Sequence, residues 1–279
     1  MPELPEVETV MRGLTPVMTG RTIRRAEVRR AGLRVPFPAN LVARLTGARV
    51  GRLARRAKYC QIFLEGGECL VIHLGMSGRL VITRGHAPQK HDHFILTLDD
   101  GAQIVLNDPR RFGMVLLVKE AELPAHASFC HLGPEPLSDE FSAAYLSGKL
   151  AGRAQPVKLA IMDQRLVVGV GNIYACEALY RAGIDPQTPA GSLSPRRLAR
   201  LAAAIKAVLA EAIAAGGSSL KDYVQASGEL GYFQHRFSVY DREGRICPAC
   251  AAKGRKNPCV TRIVQGGRST FYCARMQKP

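Results

Sequence analysis

From residue 21 to residue 120 the chain repeatedly starts and stops. Seven apolar-rich segments, RTIRRAEVRR, YCQIFLE, CLVIHLG, RLVITRG, HDHFILTL, AQIVLND and MVLLVKE, are each cut short by turns containing Gly, Asp or Asn. Segments of this length, rich in Val, Ile, Leu and Phe and separated by turn residues, read as strands of an antiparallel sandwich or barrel. Little else can bury so many short apolar runs within about a hundred residues.

Helices flank this block. From Pro2 to about Val17 the apolar residues Val7, Val10, Met11 and Leu14 fall at helical spacing. Pro suits a first helical turn, where its missing N–H costs nothing, and Glu3, Glu6 and Glu8 suit the positive end of the helix dipole. Near LGPEPLSDE the pattern changes, with two prolines and a helix-start signal at residues 133–138. Beyond it EFSAAYLSGKLAG, VKLAIMDQRLV, NIYACEALYRAG and SPRRLARLAAAIKAVLAEAIAAG read as helices, and from about Ser238 the chain returns to short strands and Cys-containing turns. The expected architecture is α+β, with an N-terminal helix and β-sandwich over residues 1–134, a helical domain over 135–237, and a small β-hairpin module over 238–279.

The charge balance narrows the partners. The chain carries 39 Lys+Arg against 23 Asp+Glu, a net charge of +16. Self-repulsion on that scale is best relieved by neutralising phosphates, so nucleic acid is the leading partner. An anionic membrane fits less well, because no lone basic amphipathic helix with a bulky apolar face is evident. No signal peptide or membrane-spanning run is found, and the expected location is cytoplasmic. Cys60, Cys69, Cys130 and Cys176 sit among apolar residues and read as buried, reduced thiols. Cys247, Cys250, Cys259 and Cys273 crowd into the last 33 residues. In an intracellular chain such a cluster, opening with a C-x-x-C knuckle, points to zinc. VTRIVQGGRSTFY reads as a hairpin turning at Gly266-Gly267 and leading to Cys273.

Several motifs carry two readings. In VVGVGNIYACEAL, Gly169 and Gly171 precede a helix starting at Asn172, either as a tight helix–helix turn or as a phosphate site at a helix N-terminus. NDPRRFGM places Arg110, Arg111 and Phe112 in an inter-strand turn; an exposed aromatic beside Arg suits insertion into a base stack. Met76 in HLGMSG occupies a similar turn, as a wedge or as cover for a core edge. Lys58 starts a strand and is not distinguished by spacing from a surface lysine. His91 and His93 form an i, i+2 pair on one strand face, with no third metal ligand evident nearby.

Taken in order, MPELPEVETV, RRAKY, HLGMSG, KHDH, NDPRRFG, IMDQ, VVGVGNIYACEAL, GGSSLKDYVQASGELGYFQH, VYDREG and GRSTFYC resemble the bacterial formamidopyrimidine-DNA glycosylase family from residue 2 to residue 273. The resemblance implies a helix-two-turn-helix in the helical domain and a zinc-finger-like terminal hairpin. It implies a monomeric enzyme that removes 8-oxoguanine and ring-opened purines from damaged double-stranded DNA. With Met1 removed, Pro2 would be the nucleophile forming a Schiff base with the sugar, followed by β,δ-elimination. Glu3 is implied as the acid beside it, Glu6 as support for the pocket, Lys58 as the β-elimination donor and Arg268 as the δ-elimination donor. Met76, Arg110 and Phe112 resemble the family's hole-filling trio. His91, Arg153, Lys158, Asn172 and Arg268 resemble its phosphate contacts. Residues 222–235 resemble the loop covering the flipped base, with Gly228 and Gly231 as its flexible points.

The chain departs from the family pattern at its end. The usual zinc site is C-x2-C-x16-C-x2-C, whereas here 22 residues separate Cys250 from Cys273 and Met276 stands where the last cysteine is expected. Thioether is a poorer zinc ligand than thiolate. One structural Zn2+ held by Cys247, Cys250, Cys259 and Cys273 is the expectation; a weakened or metal-free finger is the alternative. Two rival readings are the related endonuclease VIII type, which prefers oxidised pyrimidines, and a non-catalytic DNA-binding module. PELPE, PRRFG and the long covering loop argue against the first, and the set Pro2, Glu3, Lys58 and Arg268 against the second.

Overall fold

A computed structural model describes residues 2–218, 226 and 231–279. The chain divides into two compact units, one built from Met1–Cys130 with Ala215–Gln234, the other from His131–Ala214 with His235–Pro279.

The first unit is the expected sandwich, with two antiparallel four-stranded sheets. One has the order β1 (Ile23–Val28), β6 (Asp92–Leu98), β7 (Ala102–Asn107), β5 (Arg79–Arg84). The other runs β2 (Val50–Arg56), β3 (Tyr59–Leu64), β4 (Glu68–His73), β8 (Met114–Lys119). Strand β2 is absent from the sequence reading. As an edge strand with three arginines and partly exposed side chains beyond Val50, it lacks an apolar signature. Helix α1 (Leu4–Met18) adds Val7, Val10, Met11, Leu14 and Met18 to a core shared with Ile62, Leu70, Phe94 and Leu106. A short helix α2 (Leu41–Leu45) buries Leu41 and Leu45 in the same core.

The strand register decides where the important loops lie. His73 pairs with Met114 at the end of one sheet, and Arg79 pairs with Asn107 at the end of the other. Residues 74–78 and 108–113 therefore both cross from sheet to sheet, side by side, at one end of the sandwich.

Ala215–Gln234 packs with this unit despite lying far along the chain. The Ser218 N–H donates to Glu6 Oε1 (2.9 Å), the Ile82 N–H donates to the Ala226 carbonyl (2.8 Å), and Ala226 is buried in the sandwich core. Of the span 222–235, only Ala226 and residues 231–235 are described, so Gly228 lies outside the described residues.

The second unit holds helices α3 (Ala143–Leu150), α4 (Val157–Met162), α5 (Asn172–Ala182) and α6 (Pro195–Ala214), with α6 packed on α3 and α5. Ser142 caps α3 by accepting from the Tyr145 N–H. Between α4 and α5 the chain turns first at Asp163, whose carbonyl accepts from the Leu166 N–H, and again at Gly169, whose N–H donates to Gln164 Oε1. The expected helix-two-turn-helix is thus organised by the glutamine of IMDQ. Helix α7 (Pro248–Ala252) and the hairpin of β9 (Val260–Gln265) and β10 (Arg268–Cys273) complete the unit. The hairpin turns at Gly266 (φ 55°) and Gly267 (φ 72°), the left-handed pair a two-residue turn favours. Among the described residues no helix is long and apolar enough to cross a membrane.

Candidate functional site

Helix α1 presents its acidic start in a buried setting. Pro2 and Glu3 are buried ahead of the helix, and Glu6 Oε2 accepts from the Glu3 N–H (2.8 Å) in the E-x-x-E spacing of a capping box. Because Glu6 Oε1 also accepts from Ser218, both oxygens of Glu6 serve backbone donors. Glu6 thus ties the start of α1 to Ser218.

Lys58 does not start a strand alternating into the core. It lies in the two-residue turn between β2 and β3, opposite the pairing of Arg56 with Tyr59, and is buried. Its neighbour Ala57 takes φ 53°, a left-handed conformation that costs a non-glycine residue about 1 kcal/mol. A chain of contacts ties this turn to α1: Arg55 Nε donates to Glu8 Oε2 (2.9 Å), and Arg55 Nη1 donates to the Ala57 carbonyl (2.9 Å). Burial pushes the Glu8 carboxyl up, but its bonds to Arg55 and Arg12 outweigh this and leave its pKa below the usual value. Nearby His73 has its pKa lowered to about 4, first by burial and then by the charges of Lys58 and Arg34. The neutral imidazole accepts from the Gly75 N–H at Nδ1 (3.0 Å) and packs its ring against Tyr59 (4.9 Å).

The paired crossing loops carry the wedge candidates. Met76 and Phe112 are 39% and 45% exposed, values that set them apart from the buried core. Arg110 is exposed too, its guanidinium 5.2 Å from the Phe112 ring centre. The loops touch backbone to backbone at Gly75, where a Cβ would lie 2.3 Å from the Phe112 carbonyl carbon. Buried Asp108 binds them further: Ser77 Oγ donates to Asp108 Oδ1 (2.7 Å) and the Gly113 N–H donates to Oδ2 (2.8 Å). His91 precedes β6, so it does not share a strand face with His93; the buried His93 donates from Nε2 to the Asp108 carbonyl (3.0 Å).

In the second unit Lys158, Asn172 and the hairpin form one hydrogen-bonded group. Lys158 Nζ donates to Asn172 Oδ1 (2.6 Å) and Thr270 Oγ1 (2.5 Å), and Asn172 Nδ2 donates to the Ser269 carbonyl (2.9 Å). Lys158 is fully buried, so it stands behind Asn172 and not at the surface where a direct phosphate contact would place it. Asn172 opens α5, with Gly171 as its N-cap. Arg153 is half-buried just before α4, and Arg268 is exposed at the hairpin tip.

Cys247, Cys250, Cys259 and Cys273 are buried, and their sulfurs all lie within 4.8 Å of one another. A tetrahedral zinc with Zn–S of about 2.3 Å needs sulfurs roughly 3.8 Å apart. Cys250 Sγ and Cys273 Sγ stand at 3.8 Å, and the Cys247 N–H donates to Cys259 Sγ (3.1 Å). Against the opposing effect of burial, hydrogen bonds from the Tyr180 hydroxyl, the Cys250 backbone and the neighbouring thiols bring the Cys247 thiol down to about 7. The donor set fits a soft divalent metal. Met276 packs against the cluster, with its sulfur 4.0 Å from Lys253 Nζ. Of the four scattered cysteines, Cys60, Cys69 and Cys176 are buried as expected, but Cys130 is exposed. It falls in the turn that follows residues 120–125, where the chain leaves the first unit.

Sequence reasoning missed Asp108, His73 and Arg55. Asp108 was an acid within a basic turn, His73 the first residue of HLGMSG and Arg55 one of several arginines before Lys58, and none has a periodicity to flag it.

The formamidopyrimidine-DNA glycosylase N-terminal domain model matches residues 1–115, and the formamidopyrimidine-DNA glycosylase H2TH domain model matches residues 132–224. The formamidopyrimidine-DNA glycosylase of Dinoroseobacter shibae is 52% identical over 288 residues and that of Ruegeria pomeroyi 53% over 287, covering 100% of both chains in each case. Among solved structures, the MutM (Fpg) protein of Thermus thermophilus matches with TM-score 0.88 at 40% identity. A Lactococcus lactis Fpg mutant in complex with Fapy-dG-containing DNA matches with TM-score 0.91 at 30% identity, and both alignments cover 100% of each chain. With a sandwich behind PELPE, a helix-two-turn-helix and a cysteine-bearing hairpin all in family order, the chain belongs to the formamidopyrimidine-DNA glycosylase family.

Proposed function

We propose that this chain, a DNA glycosylase of base excision repair, removes 8-oxoguanine and formamidopyrimidines from double-stranded DNA through Pro2 and then cuts the strand as an AP lyase. The observation that carries this reading is the buried Pro2-Glu3 start of α1, tied through Glu8 and Arg55 to the turn holding Lys58. Once Met1 is removed, the Pro2 amine has a pKa near the usual α-amino range of roughly 7.7–8.0, so a useful fraction is neutral and nucleophilic at pH 7. Its lone pair adds to C1′ as the bond to the damaged base breaks, and the base leaves with the bonding electrons. Glu3 supplies the proton for sugar ring opening, which leaves an iminium between Pro2 and C1′. The iminium acidifies the C2′ protons; loss of one expels the 3′ phosphate, with Lys58 as the donor, and a second elimination, assisted by Arg268, expels the 5′ phosphate.

Met76, Arg110 and Phe112 fill the space left by the flipped nucleotide, Arg110 offering donors to the orphaned cytosine. His91, Arg153, Asn172 and Arg268 hold phosphates, and Lys158 lends its charge to the same clamp from behind Asn172. The working divisions are residues 1–134 for catalysis, 135–237 for DNA binding and lesion cover, and 238–279 for the hairpin. Cys247, Cys250, Cys259 and Cys273 would hold one structural Zn2+, which would cross-link the knuckle and the hairpin beside their small apolar cluster. The protein acts as a monomer in the cytoplasm, on nucleoid DNA.

The test is borohydride trapping on duplex DNA with 8-oxoguanine opposite cytosine. A covalent adduct that disappears in Pro2→Gly and is weak with oxidised thymine supports both the imine and the purine preference. DNA binding without an adduct refutes the chemistry.

A further inference from the structure

Three loops of the first unit carry residues assigned above to DNA contact, and all three meet at one buried residue, through its side chain or its backbone. Asp108 is fully buried in the NDPRRFG turn. Its Oδ1 accepts from Ser77 Oγ (2.7 Å) and its Oδ2 from the Gly113 N–H (2.8 Å). Ser77 Oγ in turn accepts from the Arg110 N–H (3.1 Å). The Asp108 N–H donates to the His91 carbonyl (3.0 Å), and its carbonyl accepts from the Arg111 N–H (3.2 Å) and from His93 Nε2 (3.0 Å). Met76 is thus gripped through its neighbour Ser77, Arg110 through its own amide, Phe112 through Gly113, and His91 through its carbonyl.

We propose that Asp108 is the positioning residue that makes Met76, Arg110 and Phe112 one rigid wedge, with Ser77 as its relay, so that the three enter the DNA stack together. The proposal rests on the reading of these three as hole-fillers. Three exposed side chains on two unbraced loops would each lose conformational freedom on insertion; holding them in place beforehand removes that cost from the binding step. The arrangement needs a carboxylate, because both oxygens act as acceptors. Asparagine has almost the same shape but replaces one acceptor with a donor. If that donor faces Gly113, two N–H groups oppose each other. If it faces Ser77, the hydroxyl oxygen accepts from both that amide and the Arg110 N–H, and the Ser77 O–H proton loses the acceptor that Asp108 gave it. Asp108→Asn therefore changes hydrogen bonding with little change in packing, and Ser77→Ala removes only the relay hydroxyl.

The experiment uses the full-length protein and a duplex with a tetrahydrofuran abasic analogue and 2-aminopurine beside the orphaned base. Stopped-flow fluorescence then reports base unstacking as the wedge enters, without any chemistry. In parallel, excision from an 8-oxoguanine duplex is compared with cleavage of a single-stranded abasic site, which needs no wedge. Asp108→Asn and Ser77→Ala are expected to slow the fluorescence rise at least about tenfold and to lower duplex excision relative to single-strand cleavage by a similar factor. A fluorescence rise as fast as the wild type's in both variants, or equal loss on both DNA substrates, overturns the proposal. A wild-type protein that gives the fluorescence rise but no borohydride adduct refutes the Schiff-base chemistry while leaving the wedge result intact.

Discussion

At position 75 a single methyl group is enough to disturb the candidate site. Gly75 sits at φ 64°, and an added Cβ would meet the Phe112 backbone at 2.3 Å, so both the conformation and the space exclude a side chain. Gly75→Ala is expected to cost about 2 kcal/mol or more, checked by urea denaturation, and to reduce excision by displacing Phe112. His73 gives a second residue-scale prediction. Its pKa falls from the ordinary 6.5 to about 4 in the folded chain, so the unfolded chain takes up the proton first. The contribution of the neutral ring is complete above pH 6.5 and is lost as pH falls from there through about 4. His73→Gln should flatten the pH dependence of Tm across that window; an unchanged slope would show that His73 does not set it. Neither residue stands out in the sequence, because Gly75 meets a loop 37 residues further on and His73 packs on the ring of Tyr59 from the neighbouring strand.

Among the elements, helix α5 links the helix-two-turn-helix to the terminal module. Its buried Glu177 accepts from the backbone N–H groups of Ser238, Val239 and Tyr240 at 2.8–3.1 Å. Replacing it with alanine leaves three backbone donors without their acceptor, an expected loss of about 3 kcal/mol, measurable as a lower unfolding midpoint. The four-cysteine cluster of the terminal module is open to a parallel test. Purified protein should carry one equivalent of zinc. Cys259→Ser should lower that content, whereas Met276→Ala should leave it unchanged; the opposite pattern would remove Cys259 from the ligand set. The hairpin turn and the start of α5 were legible as Gly266-Gly267 and Gly171-Asn172, since both depend on local backbone preferences. Strand β2 was not legible, since its arginines are tolerated only because it forms a sheet edge.

For the whole molecule, the net charge of +16 sets the binding physics. Affinity for undamaged duplex should fall steeply with salt, with a log–log slope of about −0.9 for each phosphate neutralised. Removing one surface contact, as in Arg153→Ala, should reduce that slope by about one, and an unchanged slope would take Arg153 out of the interface. Acid should destabilise the fold as well. Glu8 and Asp92 both have pKa values below the usual carboxylate range, because their hydrogen bonds outweigh the opposing effect of burial. Their stabilisation is present above the ordinary carboxylate values and lost as pH falls below them, at more acidic pH than the onset for His73.

The sequence alone determined the α+β class, the antiparallel sandwich, the helical segments, the basic character and the cluster of four thiols. These follow from periodicity, turn chemistry and charge, which act over a few residues or sum over the chain. Tertiary structure alone decided that Asp108 joins three loops, that Lys158 is buried behind Asn172, that Lys58 occupies a strained turn braced from α1, and that Cys259 sits with the other three cysteine sulfurs. Each of these depends on strand register or chain crossing between distant segments, and pairing of that kind leaves no local pattern in the residues it brings together.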